Sequence, residues 1–282
     1  MNLGGILTAM VTPFDRNGGL DEDASVRLMH QLLERGSDGL VIAGSTGESP
    51  TLSDEEKARL WQLAVEESGD APVIAGTGTY DTRHSVELTE RATEIGVDAV
   101  LVVTPYYNKP NRRGLVAHFE AVAAATDVPV ILYNIPSRCV VDMPNDLLAE
   151  LAQIENVSAV KQARYDDIEP IDGLELLAGN DDTLARVLDM GGTGGILVAS
   201  QLVGPEMRRM IDEPENRHEI HDSLGDLFEA LTVTTNPIPV KAALNMAGRE
   251  VGGLRLPLVE ASEDEAAVIR TALERHGLLA QV

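Results

Sequence analysis

Apolar positions along the chain fall into two alternating rhythms. Short runs rich in Val, Ile, Leu and Ala read as buried strands, and longer stretches with apolar residues three and four apart read as amphipathic helices. Gly5 to Thr12 is the first run, closed by the turn signals Pro13-Phe14-Asp15-Arg16-Asn17-Gly18-Gly19. A helix over Asp21 to Arg35, carried by Val26, Leu28, Met29, Leu32 and Leu33, is stopped by Gly36. The alternation continues with strand Gly39 to Ala43, helix Ser53 to Ser68, strand Val73 to Ala75, helix Thr82 to Ile95 and strand Ala99 to Val103. Helix Arg112 to Ala125, strand Val128 to Tyr133 and helix Asn145 to Gln153 follow. The sixth strand, Val157 to Ala163, is followed by a poorly patterned connection. Strand Leu174 to Ala178, helix Asp182 to Met190 and strand Gly195 to Ala199 complete eight strands.

Strands alternating with helices demand a parallel sheet, and eight such units close a barrel, so the expected fold is α/β, a (β/α)8 barrel. An open doubly wound sheet would carry a Gly-rich phosphate turn after its first strand, where Thr12-Pro13-Phe14 stands instead. Gly191-Gly192-Thr193-Gly194-Gly195 precedes a strand rather than a helix and reads as a tight turn. From about Leu202 the pattern is helical, through Ser223 to Thr232, Pro239 to Met246 and Glu263 to His276. The expected division is a barrel domain over 1–222 and a C-terminal helical domain over 223–282.

Composition narrows the function classes. A net charge of −24 opposes binding to nucleic acid or to anionic membranes, and the carboxylates gather mostly at predicted helix starts, where they complement the helix dipole. No apolar stretch approaches the ~18 residues of a spanning helix. No Lys or Arg precedes Arg16, so the basic region of a signal peptide is missing. The single cysteine, Cys139, cannot form an internal disulfide. A cytoplasmic protein is expected. No Cys/His/Asp cluster has metal-ligand spacing, the six histidines lying in helical patterns or near helix starts, and neither metal nor organic cofactor is expected.

In a barrel the chemistry sits where the strands end. The second strand stops at Gly44-Ser45-Thr46-Gly47-Glu48, with two hydroxyls and backbone N–H groups able to hold a carboxylate. The fourth stops at Thr104-Pro105-Tyr106-Tyr107-Asn108-Lys109-Pro110, and the fifth at Tyr133-Asn134-Ile135-Pro136-Ser137-Arg138. The sixth carries Lys161. An ammonium buried there costs several kcal/mol unless it has a task or a partner; desolvation lowers its pKa and makes an amine able to attack a ketone. Each residue alone has a plainer reading: Lys161 could snorkel, Tyr133 could pack in the core, and Arg138 could pair at the surface. Together, an amine, a phenol, relay hydroxyls and a guanidinium make a set for carbanion chemistry on a 2-oxo acid.

At these segments, and at Asn236-Pro237-Ile238-Pro239-Val240-Lys241 and Leu254-Arg255-Leu256-Pro257, the chain resembles the pyruvate-dependent class I aldolase family that includes dihydrodipicolinate synthases and N-acetylneuraminate lyases. The resemblance covers essentially the whole chain. It implies a carbon–oxygen lyase that condenses pyruvate with L-aspartate 4-semialdehyde to 4-hydroxy-tetrahydrodipicolinate, the first committed step of diaminopimelate and lysine biosynthesis. It further implies a Schiff base at Lys161, proton shuttling by Tyr133, and a relay through Ser45 to Tyr107 of a neighbouring subunit. Backbone N–H groups of Ser45 and Thr46 would hold the pyruvate carboxylate, and Arg138 that of the aldehyde. Main-chain groups of Gly179 and Ile196 would line the pocket, and the assembly would be a homotetramer, a dimer of dimers. The alternative is an aldolase acting on a 2-keto sugar acid such as N-acetylneuraminate or 2-keto-3-deoxygluconate; a third reading is a non-catalytic barrel that senses 2-oxo acids. Pro136-Ser137-Arg138 disfavours the sugar acid, because a guanidinium suits a short anionic aldehyde.

Two positions depart from the synthase pattern. Ser45 replaces the usual threonine and keeps the hydroxyl; Gln162 replaces an acidic residue that often follows the lysine. The feedback site at which L-lysine inhibits some members aligns with Asp54, Lys57, Tyr80 and His84. Lys57 adds a like charge and His84 stands where a carboxylate is expected, so insensitivity to lysine is anticipated.

Overall fold

A computed structural model of the chain describes residues 4–280. Met1, Asn2 and Leu3, the start of the segment read as lacking a signal peptide, lie outside the described residues. Eight parallel strands form a closed barrel in sequence order: β1 (Gly5–Ala9), β2 (Gly39–Ile42), β3 (Val73–Gly76), β4 (Ala99–Val103), β5 (Val130–Asn134), β6 (Val157–Gln162), β7 (Glu175–Ala178) and β8 (Gly194–Leu197), with β8 pairing back to β1. The crossover helices are α1 (Glu22–Glu34), α2 (Asp54–Glu67), α3 (Thr82–Ile95), α4 (Arg112–Ala123), the short α5 (Pro136–Cys139) with α6 (Asn145–Leu151), and α7 (Leu184–Asp189). After β8 come α8 (Ser200–Asp212), α9 (Arg217–Ser223), α10 (Gly225–Ala230), α11 (Ile238–Met246) and α12 (Glu263–Arg275). The expected boundary at 222/223 falls at the end of α9.

Alternation along each strand sorts side chains between two cores. Leu7, Val41, Ile74, Leu101, Ile131, Ala159, Leu177 and Ile196 fill the barrel interior. Their neighbours, such as Ile6, Leu40, Val130, Leu132 and Val160, face outward into the layer beneath the helices, with Trp61 and Phe119 fully buried there. Deleting any one of these large side chains would cost about 2–5 kcal/mol. Parity then dictates the site. Lys161 is two residues beyond the inward-facing Ala159 and Tyr133 two beyond Ile131, so both side chains point into the barrel at its C-terminal mouth.

The poorly patterned stretch after β6 contains no helix. Residues 163–174 cross to β7 as an irregular segment, secured by burial of Ile168 and by Arg164, whose guanidinium donates to Asp142 Oδ2, Asn145 Oδ1 and the carbonyl of Asp167. Asp166 and Asp167 therefore stand on a loop, whereas the acidic groups at 22–23, 54–56 and 263–265 do occupy first helical turns. Other boundaries shift for local reasons. β1 stops at Ala9 because the Gln201 side chain takes over, donating to Ala9 O and accepting from Val11 N. β5 begins after Pro129, which has no N–H to give a ladder. β8 ends at Leu197 because the N–H groups of Val198 and Ala199 both turn to Asp181 Oδ1. Of the Gly191–Gly195 run, Gly191, Gly192 and Thr193 form the tight turn between α7 and β8, while Gly194 and Gly195 already belong to β8, paired with Gly5 and Ile6.

Candidate active site

At the C-terminal mouth two adjoining cavities of about 300 and 490 Å³ share Ser45, Tyr133, Ile135, Arg138, Thr235 and Asn236 in their walls. The smaller extends over Gly76, Gly78 and Tyr106 towards Pro257; the larger contains Lys161, Thr46, Gly179 and Asp181 and runs under α9 and α10. Lys161 and Tyr133 are register partners on β6 and β5, and Lys161 Nζ lies 4.3 Å from the centroid of the phenol ring. Burial pushes the Lys161 ammonium down to about 7; Asp181 opposes the shift and Arg138 adds to it. Burial likewise raises the Tyr133 phenol to about 12, with Arg138 and a hydrogen bond with the Ser45 hydroxyl pulling the other way. Close to neutral pH the site thus holds a lysine able to lose its proton and a phenol that keeps its own. Asp181 itself is raised to about 6 by burial, against the pull of the two N–H groups it accepts.

The turn after β2 is held from below. Thr12 donates its hydroxyl to Gly47 O, and Thr46 Oγ1 accepts Asn236 Nδ2 at 2.9 Å. Behind it Glu48 and Lys241 form a fully buried ion pair of 2.7 Å; Glu48 also accepts the N–H of Arg255, and Lys241 Nζ stacks over the Phe14 ring at 4.3 Å. Removing one partner would strand a buried charge at about 3–5 kcal/mol. The pair therefore locks the C-terminal helices onto the loop that carries Ser45 and Thr46. Gly179 meets a different need. Its N–H bonds Gln162 O at 2.8 Å, and a Cβ there would lie 2.7 Å from the Ala163 side chain, so only glycine lets the end of β7 approach the lysine strand this closely.

Arg138 projects from α5, whose first residue is Pro136, and donates Nη2 to the carbonyl of Asn236 at 2.9 Å. Among the described residues it makes no carboxylate contact, although the chain carries 46 acidic side chains. Gln162 has a plain role: its Oε1 accepts Asn134 Nδ2 at 3.0 Å within a buried amide network, so a neutral oxygen does there what a carboxylate oxygen would.

The structure brings Lys161, Tyr133, Ser45, Thr46, Arg138 and Gly179 together at one cavity mouth. It does not bring Tyr107 there: that ring is 91% exposed, while its neighbour Tyr106 lines the smaller cavity and packs edge-on against Tyr80. Ile196 is buried in the interior layer, and Val198 forms the cavity wall at β8. Sequence reasoning missed Asp181 and Asn236 as wall residues. The Asn-Pro-Ile-Pro segment was visible as a motif, but nothing local in it signalled contact with a loop 190 residues away.

A sequence model of the Dihydrodipicolinate synthetase family matches residues 2–276. The 4-hydroxy-tetrahydrodipicolinate synthase of Heliobacterium modesticaldum is 45% identical over 99% of this chain and 97% of that protein. The crystal structure of dihydrodipicolinate synthase from Aquifex aeolicus superposes with a TM-score of 0.95 at 36% identity, covering 99% of this chain and 100% of the other. The chloride-inhibited dihydrodipicolinate synthase of Acinetobacter baumannii, complexed with pyruvate, gives 0.95 at 34% identity over 98% of this chain and 100% of the other. With the lysine, phenol and guanidinium assembled at the barrel mouth and a match running almost from end to end, the chain belongs to the dihydrodipicolinate synthetase family.

Proposed function

We propose that the chain condenses pyruvate with L-aspartate 4-semialdehyde to give 4-hydroxy-tetrahydrodipicolinate, the reaction for which its relatives are named and an entry to diaminopimelate and lysine biosynthesis. It is a lyase of that family. The observation that carries the mechanism is the buried amine of Lys161 against the Tyr133 ring, with a guanidinium at the same mouth that has no carboxylate partner among the described residues. Neutral Lys161 attacks C2 of pyruvate, and loss of one water leaves an imine. Removal of a C3 proton gives the enamine, which forms the carbon–carbon bond with the aldehyde. The substrate's own amine then attacks C2, expelling Lys161 and closing the ring. Tyr133 carries the protons between these steps, and the covalent imine serves as electron sink, so the reading requires neither metal nor organic cofactor.

The exposed Tyr107 supports a relay completed by a second subunit, and we assign it that role in a homotetramer built as a dimer of dimers. A cytoplasmic enzyme fits the biosynthetic role, and no helix among the described residues is long and apolar enough to cross a membrane. Arg138→Ala tests the acceptor. Imine formation with pyruvate, trapped by borohydride and read by mass, is expected to survive, while kcat/KM for the aldehyde falls roughly 10- to 100-fold, the loss expected for a charge-assisted contact. Unchanged kinetics with L-aspartate 4-semialdehyde would assign the guanidinium to another acceptor.

Regulation follows from the cluster beside α2 and α3. Asp54 already accepts His84 Nε2 at 2.9 Å and lies 3.4 Å from Lys57 Nζ. Burial of Asp54 pushes its pKa up, but His84 and Lys57 outweigh it and hold the carboxyl low. Asp54, the one carboxylate among the four aligned positions, is thus already engaged by His84 and Lys57, and Lys57 would repel the ligand. Sub-millimolar L-lysine is expected to leave steady-state turnover unchanged; half-inhibition in that range would show an intact effector pocket.

A further inference from the structure

The side chain of Asn236 has one end tied and one end free. Nδ2 donates to Thr46 Oγ1, and the backbone carbonyl accepts Arg138 Nη2, each at 2.9 Å. Oδ1 is buried and has no partner among the described residues, at a point where the residue lines both cavities. A buried acceptor left unserved is costly, and such groups are rare in native proteins. The oxygen is closed to bulk solvent, so a small turn of the side chain toward either cavity is what would let a substrate N–H or O–H serve it.

We propose that Asn236 is a specificity residue for the second substrate: its amide oxygen accepts a hydrogen bond from the α-ammonium of the aldehyde whose carboxylate Arg138 holds. This rests on the acceptor assigned above and adds the group by which that acceptor is told from an aldehyde acid without an amine. Neither the ketone and carboxylate of pyruvate nor the aldehyde group can donate, so the ammonium is the donor the two substrates offer. Its place is set by connectivity. In an α-amino acid the ammonium sits on the carbon that bears the carboxylate, and Arg138, which anchors that carboxylate, is itself bonded to Asn236. Charge agrees, since Asp181, Asp182 and Glu229 line the larger cavity and favour a cation there.

The test compares two dead-end analogues as competitive inhibitors against the aldehyde: L-homoserine, and 4-hydroxybutanoate, which has the same chain and carboxylate without the amine. The wild type is expected to bind L-homoserine about tenfold more tightly, and Asn236→Ala to bring the two within about twofold, because only the amine loses a contact. Asn236→Asp keeps Oδ1 and removes the Nδ2 donor, so it should retain or enlarge the preference; it also carries the test where the alanine variant folds poorly. Pyruvate imine trapping should persist in both variants, and a changed KM for pyruvate reports the lost Thr46 contact rather than the amine. A wild type without the preference, an alanine variant that keeps it, or an aspartate variant that loses it would overturn the assignment. Absence of any turnover with L-aspartate 4-semialdehyde in the wild type would instead remove the reading on which it stands.

Discussion

Lys161→Ala is expected to lower turnover by ~10³-fold or more while leaving the barrel folded, since losing a covalent nucleophile removes the whole pathway rather than one contact. Circular dichroism and thermal unfolding would check the fold, and borohydride trapping with pyruvate should add no mass to the variant. More than a few per cent of wild-type activity would defeat the Schiff-base assignment. The pH behaviour carries a second check. Because burial brings the ammonium to about 7, kcat/KM for pyruvate in the wild type should climb as pH rises through that value and level off above it. The sign for stability is also set. The folded value lies below the unfolded ~10.4, so between the two the unfolded chain binds more protons and stability rises with pH. Removing this lysine should flatten that rise and leave the variant at least as stable as the wild type near pH 7, where the wild type still carries part of the penalty of a buried charge. A variant much less stable at that pH would mean that the amine serves structure.

Most of the barrel was legible because its two periodicities are enforced by burial. A strand covered on both faces must be apolar throughout, and each helix shows one wet face, so Leu40-Val41-Ile42 and the Leu28–Leu32 stripe leave little freedom. The inward direction of Lys161 follows from Ala159 two residues earlier, and its burial made it the residue to explain. Element ends were less visible because they are decided by distant partners: Gln201 on Ala9 and Val11, Asp181 on Val198 and Ala199. The same holds within the site. Glu48 meets Lys241 and Thr46 meets Asn236 across most of the chain, contacts that no local window contains. The empty pattern after β6 was informative in its own way, for a stretch lacking helical spacing turned out to have no helix.

Tyr133→Phe should separate binding from proton transfer. The ring stays, so its packing beneath Lys161 and in the barrel interior is preserved, and only the hydroxyl that Ser45 reaches is lost. Since the phenol is held near 12 by burial, it remains protonated across the working range, and in the proposed mechanism it would act as a donor recharged through Ser45 rather than as a standing base. Both the loss of water from the carbinolamine and the later release of Lys161 need such a donor. The expected result is a fall in kcat of roughly 10²–10⁴-fold with the KM for pyruvate little changed. Borohydride trapping at short times should show imine appearing at a correspondingly reduced rate yet reaching the wild-type extent at long times. Ser45→Ala, which would interrupt the proposed relay but spares the phenol, should act in the same direction by less. Should Tyr133→Phe instead raise the KM for pyruvate with kcat preserved, the hydroxyl would be a ground-state contact, and the proton donor would have to be sought elsewhere in the cavity wall.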